Sequence, residues 1–268
     1  VSAVTDGLTR RLIALAEETL GPAPAPWAWI LLGSQGRREQ LAGSDQDNAL
    51  IVADSLMANL GYRRALVVAA EKMTHLVDPL DFRMVGLFAD GVGAVVIEDV
   101  ELETDGGFRS FYAGSDGSAG QALRVPAGGT RRPLTPERIA AGEHFLISDF
   151  REVYPFAVRT TQACIEHAVA RAGLTVGDVD WVIPHHASAN IIEDGVGQAG
   201  IRPEQVLMAI DHTGNTSSAS VPTALDEEVR RGRFSDGEIT TTGELAEVVF
   251  GKAHLVSSSH GAPGVTVE

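Results

Sequence analysis

Apolar positions along the chain recur with helical spacing in some segments and form short continuous runs in others. Residues 8–20 carry apolar side chains at helical spacing and stop at Gly21, which predicts a helix that ends there. The other predicted elements, in chain order, are a strand over 27–34, a helix ending before Gly61, a core strand over 65–70, a strand, glycine turn and strand over 85–100, a long surface segment over 105–133, a helix of about six turns over 152–174, a strand over 179–186, a helix over 188–200, a strand and turn over 205–215, and a helix over 218–232. Strands and helices that alternate in this order predict an α/β layered fold.

Composition narrows the classes of function. The chain has 268 residues, of which 44% are hydrophobic and 21% charged, as is ordinary for a folded protein. Its formal net charge of −15 argues against non-specific binding to nucleic acid or to an anionic membrane. No apolar run approaches the roughly 20 residues of a membrane span. Residues 1–21 are amphipathic and acidic rather than signal-like, so we expect a cytoplasmic protein.

Cysteine content excludes two further kinds of site. Cys164 is the single cysteine, so the chain can form neither an intramolecular disulfide framework nor a thiolate metal cluster. It lies in TTQACIEHAV, in the middle of a predicted helix. This position favours a small buried hydrophobic side chain over a reactive thiol, which needs an electropositive and partly open setting.

A histidine and an asparagine follow two neighbouring predicted strands. His185 comes directly after the apolar run WVIP, and the ends of buried strands in α/β sheets are where ligands and chemistry concentrate. The segment DHTGNTSSAS supplies Asn215, beside a glycine that permits an unusual turn and small residues that allow close approach. A neutral imidazole and an asparagine amide side by side are two hydrogen-bond donors. Such a pair can stabilise an oxyanion or a thioester enolate while its charge develops.

Spacing alone leaves two other interpretations open. The two residues could be a strand-end histidine and a turn asparagine with no chemical role. A metal site built from His185, His186 and His212 is the third interpretation, although no helical motif of carboxylates and histidines supports it.

Longer stretches of sequence resemble a known family. Residues 49–238 contain YRRALVVAAEKMTHLVDP, VGLFADGVGAVVIE, VPAGGTRRP, REVYPFAVRT, DWVIPHHASANII and HTGNTSSASVPTALDEEVRRGR in that order. These blocks resemble the β-ketoacyl-acyl-carrier-protein synthase III family of the thiolase superfamily. The resemblance implies a thiolase-like layered α/β/α fold, incomplete in its N-terminal half, and a homodimer or a mixed dimer with an intact synthase. It also implies acyl transfer and decarboxylative condensation of an acyl-CoA with malonyl-acyl-carrier protein, on pantetheine thioesters and without another cofactor.

In that family a Cys–His–Asn set carries the chemistry. The cysteine accepts the acyl group, and the histidine and asparagine support decarboxylation of the malonyl group. By position His185 matches the family histidine and Asn215 the family asparagine, so the resemblance predicts both as catalytic residues.

The neighbouring positions depart from the family pattern. His186 lies where the family usually has glutamine, Ser188 replaces an asparagine, and Asn190 stands where a basic residue is common. We predict that His186, Ser188 and Gly214 contact the substrate.

The position of the family cysteine holds a different residue. Counting back from Ala49 along the matching helix places it near Gly43 and Ser44, and neither is a cysteine. Ser44 is a candidate substitute nucleophile, although a hydroxyl needs an adjacent general base. The resemblance therefore predicts impaired condensation, with decarboxylation of malonyl thioesters as the activity that the histidine and asparagine could still support.

A second resemblance covers the preceding segment. Residues 29–54, WILLGSQGRREQLAGSDQDNALIVAD, resemble nucleotidyltransferases associated with cyclic-nucleotide-binding and CBS-type regulatory regions. Gly33 and Ser34 would meet nucleotide phosphates, and Asp45 and Asp47 would hold Mg²⁺ between themselves and those phosphates. The alternatives are thus a Mg²⁺-dependent nucleotide-binding enzyme or a polar loop with ordinary surface carboxylates.

These resemblances divide the chain into three regions. We predict an N-terminal helix with a nucleotidyltransferase-like strand and turn over 1–54, a synthase-like region over 55–240 and a divergent segment over 241–268. A further alternative is a non-catalytic thiolase-fold partner of an intact synthase. We expect acyl-CoA and acyl-carrier protein as partners, and neither nucleic acid nor a membrane.

Overall fold

A computed structural model describes residues 10–11, 13–19, 21–22, 49–99, 107–114, 116–235, 239–243 and 246–251. The strands are β1 (Arg64–Lys72), β2 (Asp90–Glu98), β3 (Gly107–Ala113), β4 (Leu123–Arg124), β5 (Ile147–Ser148), β6 (Trp181–Pro184), β7 (Ile239–Gly243) and β8 (Ala246–Gly251). The helices are α1 (Ala49–Leu60), α2 (Phe82–Val85), α3 (Pro136–Ala140), α4 (Phe150–Arg171), α5 (Ala189–Gln198), α6 (Ile210–Thr213) and α7 (Ser220–Arg230). Residues 10–11 and 13–19 are also helical, as the apolar spacing predicts.

The strands form one sheet of four strands and two separate pairs. The four-stranded sheet has the order β3–β8–β7–β6, in which β6 and β7 are parallel and the other neighbours antiparallel. β1 and β2 form an antiparallel pair in which Glu71 lies opposite Gly91, and β4 pairs with β5. The mixture of strands and packed helices confirms the predicted α/β class.

The main core lies where α4 and α5 pack with β6. Its buried side chains are Ile165, Ala168, Val169, Val179, Val182, Ile192, Val196, Ala199 and Ile201. Fully burying one of these valine or isoleucine side chains contributes about 1.5–3 kcal/mol relative to leaving it exposed. This core fixes the carboxyl end of β6, after which His185 follows.

The predicted long helix over 152–174 is confirmed as α4. It has 22 residues and begins after Asp149, whose side chain accepts a hydrogen bond of 3.0 Å from the backbone N–H of Arg151. Such an N-cap satisfies one of the amide groups that the first turn leaves unpaired. After its last turn, Gly173 adopts a φ of +73°, the left-handed conformation that commonly ends helices.

The predicted strand, glycine turn and strand over 85–100 is wrong. The chain forms α2 first and then β2, a continuous strand that passes through Gly91 and Gly93. A Cβ atom on Gly91 would lie 2.8 Å from the Cβ of Thr216, and one on Gly93 would lie 2.6 Å from the Cγ of Pro222. The glycines therefore serve close packing against the 216–222 segment instead of a turn.

Two other segments also differ from their predictions. The segment 205–215 forms no extended strand, since Val206 makes a single bridge to Val182 and the chain then turns into α6. The segment 105–133 is not only a surface excursion, because it contains β3, an edge strand of the four-stranded sheet, and β4.

The predicted core strand over 65–70 exists as β1, but only one of its two faces is covered. Its residues alternate between more and less accessible positions, and Leu66 is 63% exposed. Val92 and Val96 of β2 are also exposed, so the pair presents an apolar outer face.

Several predicted features lie outside the described residues. They are the strand over 27–34, the phosphate-binding Gly33 and Ser34, the possible nucleophile Ser44, and the candidate magnesium ligands Asp45 and Asp47. Among the described residues, no helix combines the length and the apolar character that crossing a membrane requires.

Candidate active site

His185 lies immediately after β6, at the end of the core strand. Its side chain is half-buried, and its Nδ1 lies 3.3 Å from the Oγ of Ser220, the first residue of α7. Ser220 is fully buried and its Oγ also accepts a hydrogen bond of 3.1 Å from the backbone N–H of His186. One serine hydroxyl therefore contacts both residues of the histidine pair.

His186 points into the interior. Its ring is 0% exposed, and Nε2 accepts a long hydrogen bond of 3.5 Å from the backbone N–H of Ala209. Burial, together with the nearby His185 and His212, lowers the pKa of His186 to about 4, so the ring is neutral at pH 7. Nothing in this position supports the prediction that His186 contacts a substrate, because its side chain has no accessible surface.

The backbone around Asn215 is fixed by the segment that leads into β2. The Asn215 N–H donates to the carbonyl of Leu87 at 2.9 Å, and the Asn215 carbonyl accepts from the N–H of Ala89 at 2.9 Å. Gly214 has a φ of +69°, and a Cβ there would lie 3.1 Å from the Cβ of Ala89. The predicted unusual turn at Gly214 is confirmed, and its observed role is to let two backbones approach.

The Asn215 side chain is held at both ends. Its Nδ2 donates to the carbonyl of Ala187 at 3.2 Å, and its Oδ1 accepts from the N–H of Ser217 at 2.9 Å. The residue is only 5% exposed. Since an asparagine amide has two N–H groups, a second hydrogen bond from Nδ2 is chemically available.

These contacts bring the two predicted catalytic residues to one place. The Asn215 amide binds the carbonyl of Ala187, two residues after His185, while Ser220 on the helix that follows Asn215 contacts the His185 ring. Residues separated by 30 positions in sequence thus share one end of β6. Sequence reasoning did not single out Ser220, although the small residues after Asn215 indicated close approach.

Ser188 caps a helix. It is the N-cap of α5, and its Oγ accepts from the backbone N–H of Ile191 at 3.3 Å. Asn190 lies in the first turn of the same helix and is exposed.

Cys164 and His212 lie outside this group. Cys164 is 3% exposed in α4, which confirms the prediction of a buried small side chain. The exposed His212 contacts Asp211 at 2.9 Å and Glu227 at 3.0 Å, and these carboxylates raise its pKa. Within the part of the chain that the structure describes, no three potential ligands converge on a metal site, so His185, His186 and His212 are not grouped as one.

Two family models match parts of the chain. Residues 169–243 match the family described as "3-Oxoacyl-[acyl-carrier-protein (ACP)] synthase III C terminal", which includes both His185 and Asn215. Residues 1–83 match the family described as "Putative nucleotidyltransferase DUF294", which includes Asp45 and Asp47.

Curated relatives carry the same synthase name. The β-ketoacyl-[acyl-carrier-protein] synthase III of Symbiobacterium thermophilum is 39% identical over 190 residues, covering 71% of this chain and 57% of that protein. The protein of that name from Caldanaerobacter subterraneus is 35% identical over 210 residues, covering 78% of this chain and 61% of that protein. The chain therefore spans about three fifths of the length of these relatives.

Solved structures of proteins with the same synthase name are also similar to this chain. The 3-oxoacyl-(acyl carrier protein) synthase III of Pseudomonas aeruginosa superposes with a TM-score of 0.69 at 27% identity, covering 78% of this chain and 64% of that one. The enzyme of Thermus thermophilus gives a TM-score of 0.66 at 32% identity, covering 76% of this chain and 64% of that one. The chain thus has the α/β, thiolase-like fold of these proteins, and residues 169–243 match the model of the 3-oxoacyl-acyl-carrier-protein synthase III C-terminal domain.

Proposed function

We propose that this chain binds malonyl thioesters at the end of β6 and that His185 and Asn215 support their decarboxylation. One observation carries the proposal: the contacts of Ala187 and Ser220 hold the imidazole and the amide at one strand end. The synthase III relatives named above favour acyl-CoA and acyl-carrier-protein thioesters as the substrate class. The pantetheine of the substrate supplies the thioester, and the proposal needs no other cofactor.

The chemistry needs donors where negative charge develops. When the malonyl C–C bond breaks, CO₂ leaves and its bonding electrons become a thioester enolate. The enolate carries its charge on the thioester oxygen, where an imidazole Nε2–H and an amide N–H stabilise it more than water does. Protonation of the enolate carbon by water then gives the acetyl thioester.

Ser220 is compatible with the histidine tautomer that this step requires. Its Oγ accepts from the His186 N–H, and its hydroxyl hydrogen can donate to His185 Nδ1, which lies 3.3 Å away. An Nδ1 that accepts a hydrogen bond places the imidazole proton on Nε2. Nε2 is then the donor that faces the enolate oxygen in the proposed site.

Condensation is a separate step with a separate requirement. It needs a nucleophile that accepts the acyl primer, and Cys164 is buried within the α4 core. Ser44 lies outside the described residues. We therefore propose decarboxylation without efficient condensation when the chain acts alone.

The test is CO₂ release from carboxyl-labelled malonyl-CoA and malonyl-acyl-carrier protein. We expect His185→Ala and Asn215→Ala each to lower kcat by about 100- to 1000-fold, as removal of an oxyanion donor does. The matched control is His167→Ala, since His167 is an exposed histidine of α4 that stacks on Tyr112 with ring centroids 4.7 Å apart. Wild-type release no faster than in His185→Ala would refute the proposal.

The N-terminal family match favours a second candidate. Under it, Asp45 and Asp47, which lie within the matched residues, would hold Mg²⁺ and a nucleotide through their carboxylate oxygens. Equilibrium binding of ATP that requires Mg²⁺ and is lost in Asp45→Ala would support it. The same ATP affinity with and without Mg²⁺, or in Asp45→Ala, would exclude it.

The exposed apolar face of β1 and β2 favours a third candidate. Leu66, Val68, Val92 and Val96 are all exposed there, and contiguous apolar surface commonly marks an interface. We propose a homodimer or, for a non-catalytic chain, a mixed dimer with an intact synthase. Co-expression with a synthase and measurement of the mass of the purified complex distinguish these states from a monomer.

A further inference from the structure

The orientation of the Asn215 amide depends on a strained turn. Its Oδ1 accepts from the N–H of Ser217 at 2.9 Å, and Ser217 has a φ of +53°. A non-glycine residue is strained in this left-handed region and persists only where surrounding contacts impose it. Something outside the turn must therefore hold Ser217.

The next residue is anchored to a distant strand. The hydroxyl of Ser218 donates a hydrogen bond to Oε1 of Glu71, which lies on β1, 147 residues earlier. Glu71 is only 7% exposed, on the inner face of the β1–β2 pair. A hydrogen bond to a buried carboxylate is among the stronger kinds in proteins, so it is suited to hold a strained turn.

The partner strand β2 leaves room for the turn that contains Ser217. Gly91 lies directly opposite Glu71 in the β1–β2 register, and a Cβ on Gly91 would lie 2.8 Å from the Cβ of Thr216. One cross-strand pair therefore contacts both sides of the turn: glycine makes room for Thr216 and glutamate binds Ser218.

We infer that Glu71 is a positioning residue for Asn215, acting through Ser218 and the left-handed backbone of Ser217. This inference rests on the proposed decarboxylation, for which Asn215 donates to the enolate oxygen. Glu71 touches neither substrate nor reacting atoms in this role. It keeps the Ser217 N–H directed at Asn215 Oδ1, so that the amide nitrogen is directed at Ala187 and at the site.

The first readout is independent of activity. The side-chain amide signals of Asn215 are assigned in ¹⁵N NMR spectra by their loss in Asn215→Asp. We expect Glu71→Ala and Ser218→Ala to shift these signals and to speed their exchange with water. The matched control is Glu228→Gln, because Glu228 is a similarly buried glutamate whose partners, Arg231 and Arg233, lie just beyond the C-terminal end of α7. In Glu228→Gln the chemical shifts of the Asn215 amide signals should not change.

The second readout is kinetic. Glu71→Ala should lower kcat for malonyl-CoA decarboxylation by about 10- to 100-fold with KM within about twofold, as misplacement of a catalytic group does. Glu71→Gln keeps an oxygen that can accept from Ser218, so it should retain kcat within about threefold of wild type.

The outcomes separate this inference from the proposed function. Unchanged Asn215 amide signals in Ser218→Ala, whose small change leaves the fold intact, would overturn the inference even if decarboxylation is observed. Shifted signals together with no decarboxylation in wild type would refute the proposed function and leave the positioning by Glu71 supported. A kcat of Glu71→Gln as low as that of Glu71→Ala would overturn the hydrogen-bond role.

Discussion

The crossing of α4 and α5 offers a matched pair of substitutions, Gly195→Ala and Gly197→Ala. Both glycines lie in α5, two residues apart. A Cβ on Gly195 would lie 2.8 Å from the Cβ of Thr161 and 3.2 Å from the carbonyl oxygen of Val158, whereas a Cβ on Gly197 would meet nothing within 4 Å. The two variants therefore differ in packing and share the change in helix propensity.

The magnitude follows from these distances. Alanine gains about 0.8–1 kcal/mol over glycine inside a helix, so Gly197→Ala should raise the free energy of unfolding by up to that amount. At Gly195 the new methyl group must separate from Thr161 by about 0.6 Å to reach the 3.4 Å of ordinary contact. Overpacking of this kind costs about 1–3 kcal/mol. Rotation of the Thr161 side chain cannot relieve this contact, because the atom that is too close is its Cβ, which moves only with the helix backbone.

Urea unfolding followed by tryptophan fluorescence gives both free energies. We expect Gly195→Ala to be less stable than Gly197→Ala by about 1–3 kcal/mol, with the same m-value. Because the propensity gain is common to both variants, their difference isolates the contact between α4 and α5. Equal stabilities within about 0.5 kcal/mol would refute the close approach of the two helices at Gly195.

The remaining predictions concern His186 and Gly214. Because the pKa of His186 falls from 6.5 to about 4 on folding, the unfolded state takes up the proton first as pH drops, and stability declines between pH 6.5 and 4. From pH 7 to 5 the free energy of unfolding should fall by about 2 kcal/mol through this group. His186→Gln should remove that part of the pH dependence, measured by urea unfolding at a series of pH values. The same dependence of the free energy of unfolding on pH in both proteins would contradict this prediction. Gly214→Ala should cost more stability than Gly173→Ala, since both have a φ near +70° but only Gly214 faces Ala89. Thermal unfolding of the two variants compares them, and equal losses would mean that backbone strain alone acts.

The spacing of apolar residues and the positions of glycines predicted those elements whose formation depends on residues close together in the sequence. The helix over 152–174 has an apolar face and a terminal glycine, and it appears as α4 with Gly173 in the left-handed conformation. The pairing of His185 with Asn215 came from strand ends and from a family resemblance, and the contacts of Ala187 and Ser220 agree with it.

Long-range contacts determine what the pattern could not predict. Gly91 and Gly93 resemble turn residues in sequence, yet they lie inside β2 because Thr216 and Pro222 pack on them. Glu71 on an apolar strand gives no local sign that Ser218 is its partner. His186 is polar in sequence and fully buried in the fold, where burial lowers its pKa and keeps the ring neutral.

We propose that this chain stabilises a thioester enolate without an acyl-accepting nucleophile of its own. The most direct measurement is the intact mass of the protein after incubation with acetyl-CoA and longer acyl-CoA thioesters, in the same preparation that releases CO₂ from malonyl-CoA. We expect CO₂ release that depends on His185 and no increase in protein mass. A mass increase on Cys164 or Ser44 that is lost in the matching alanine variant would contradict it, because the chain would then supply the acceptor for condensation.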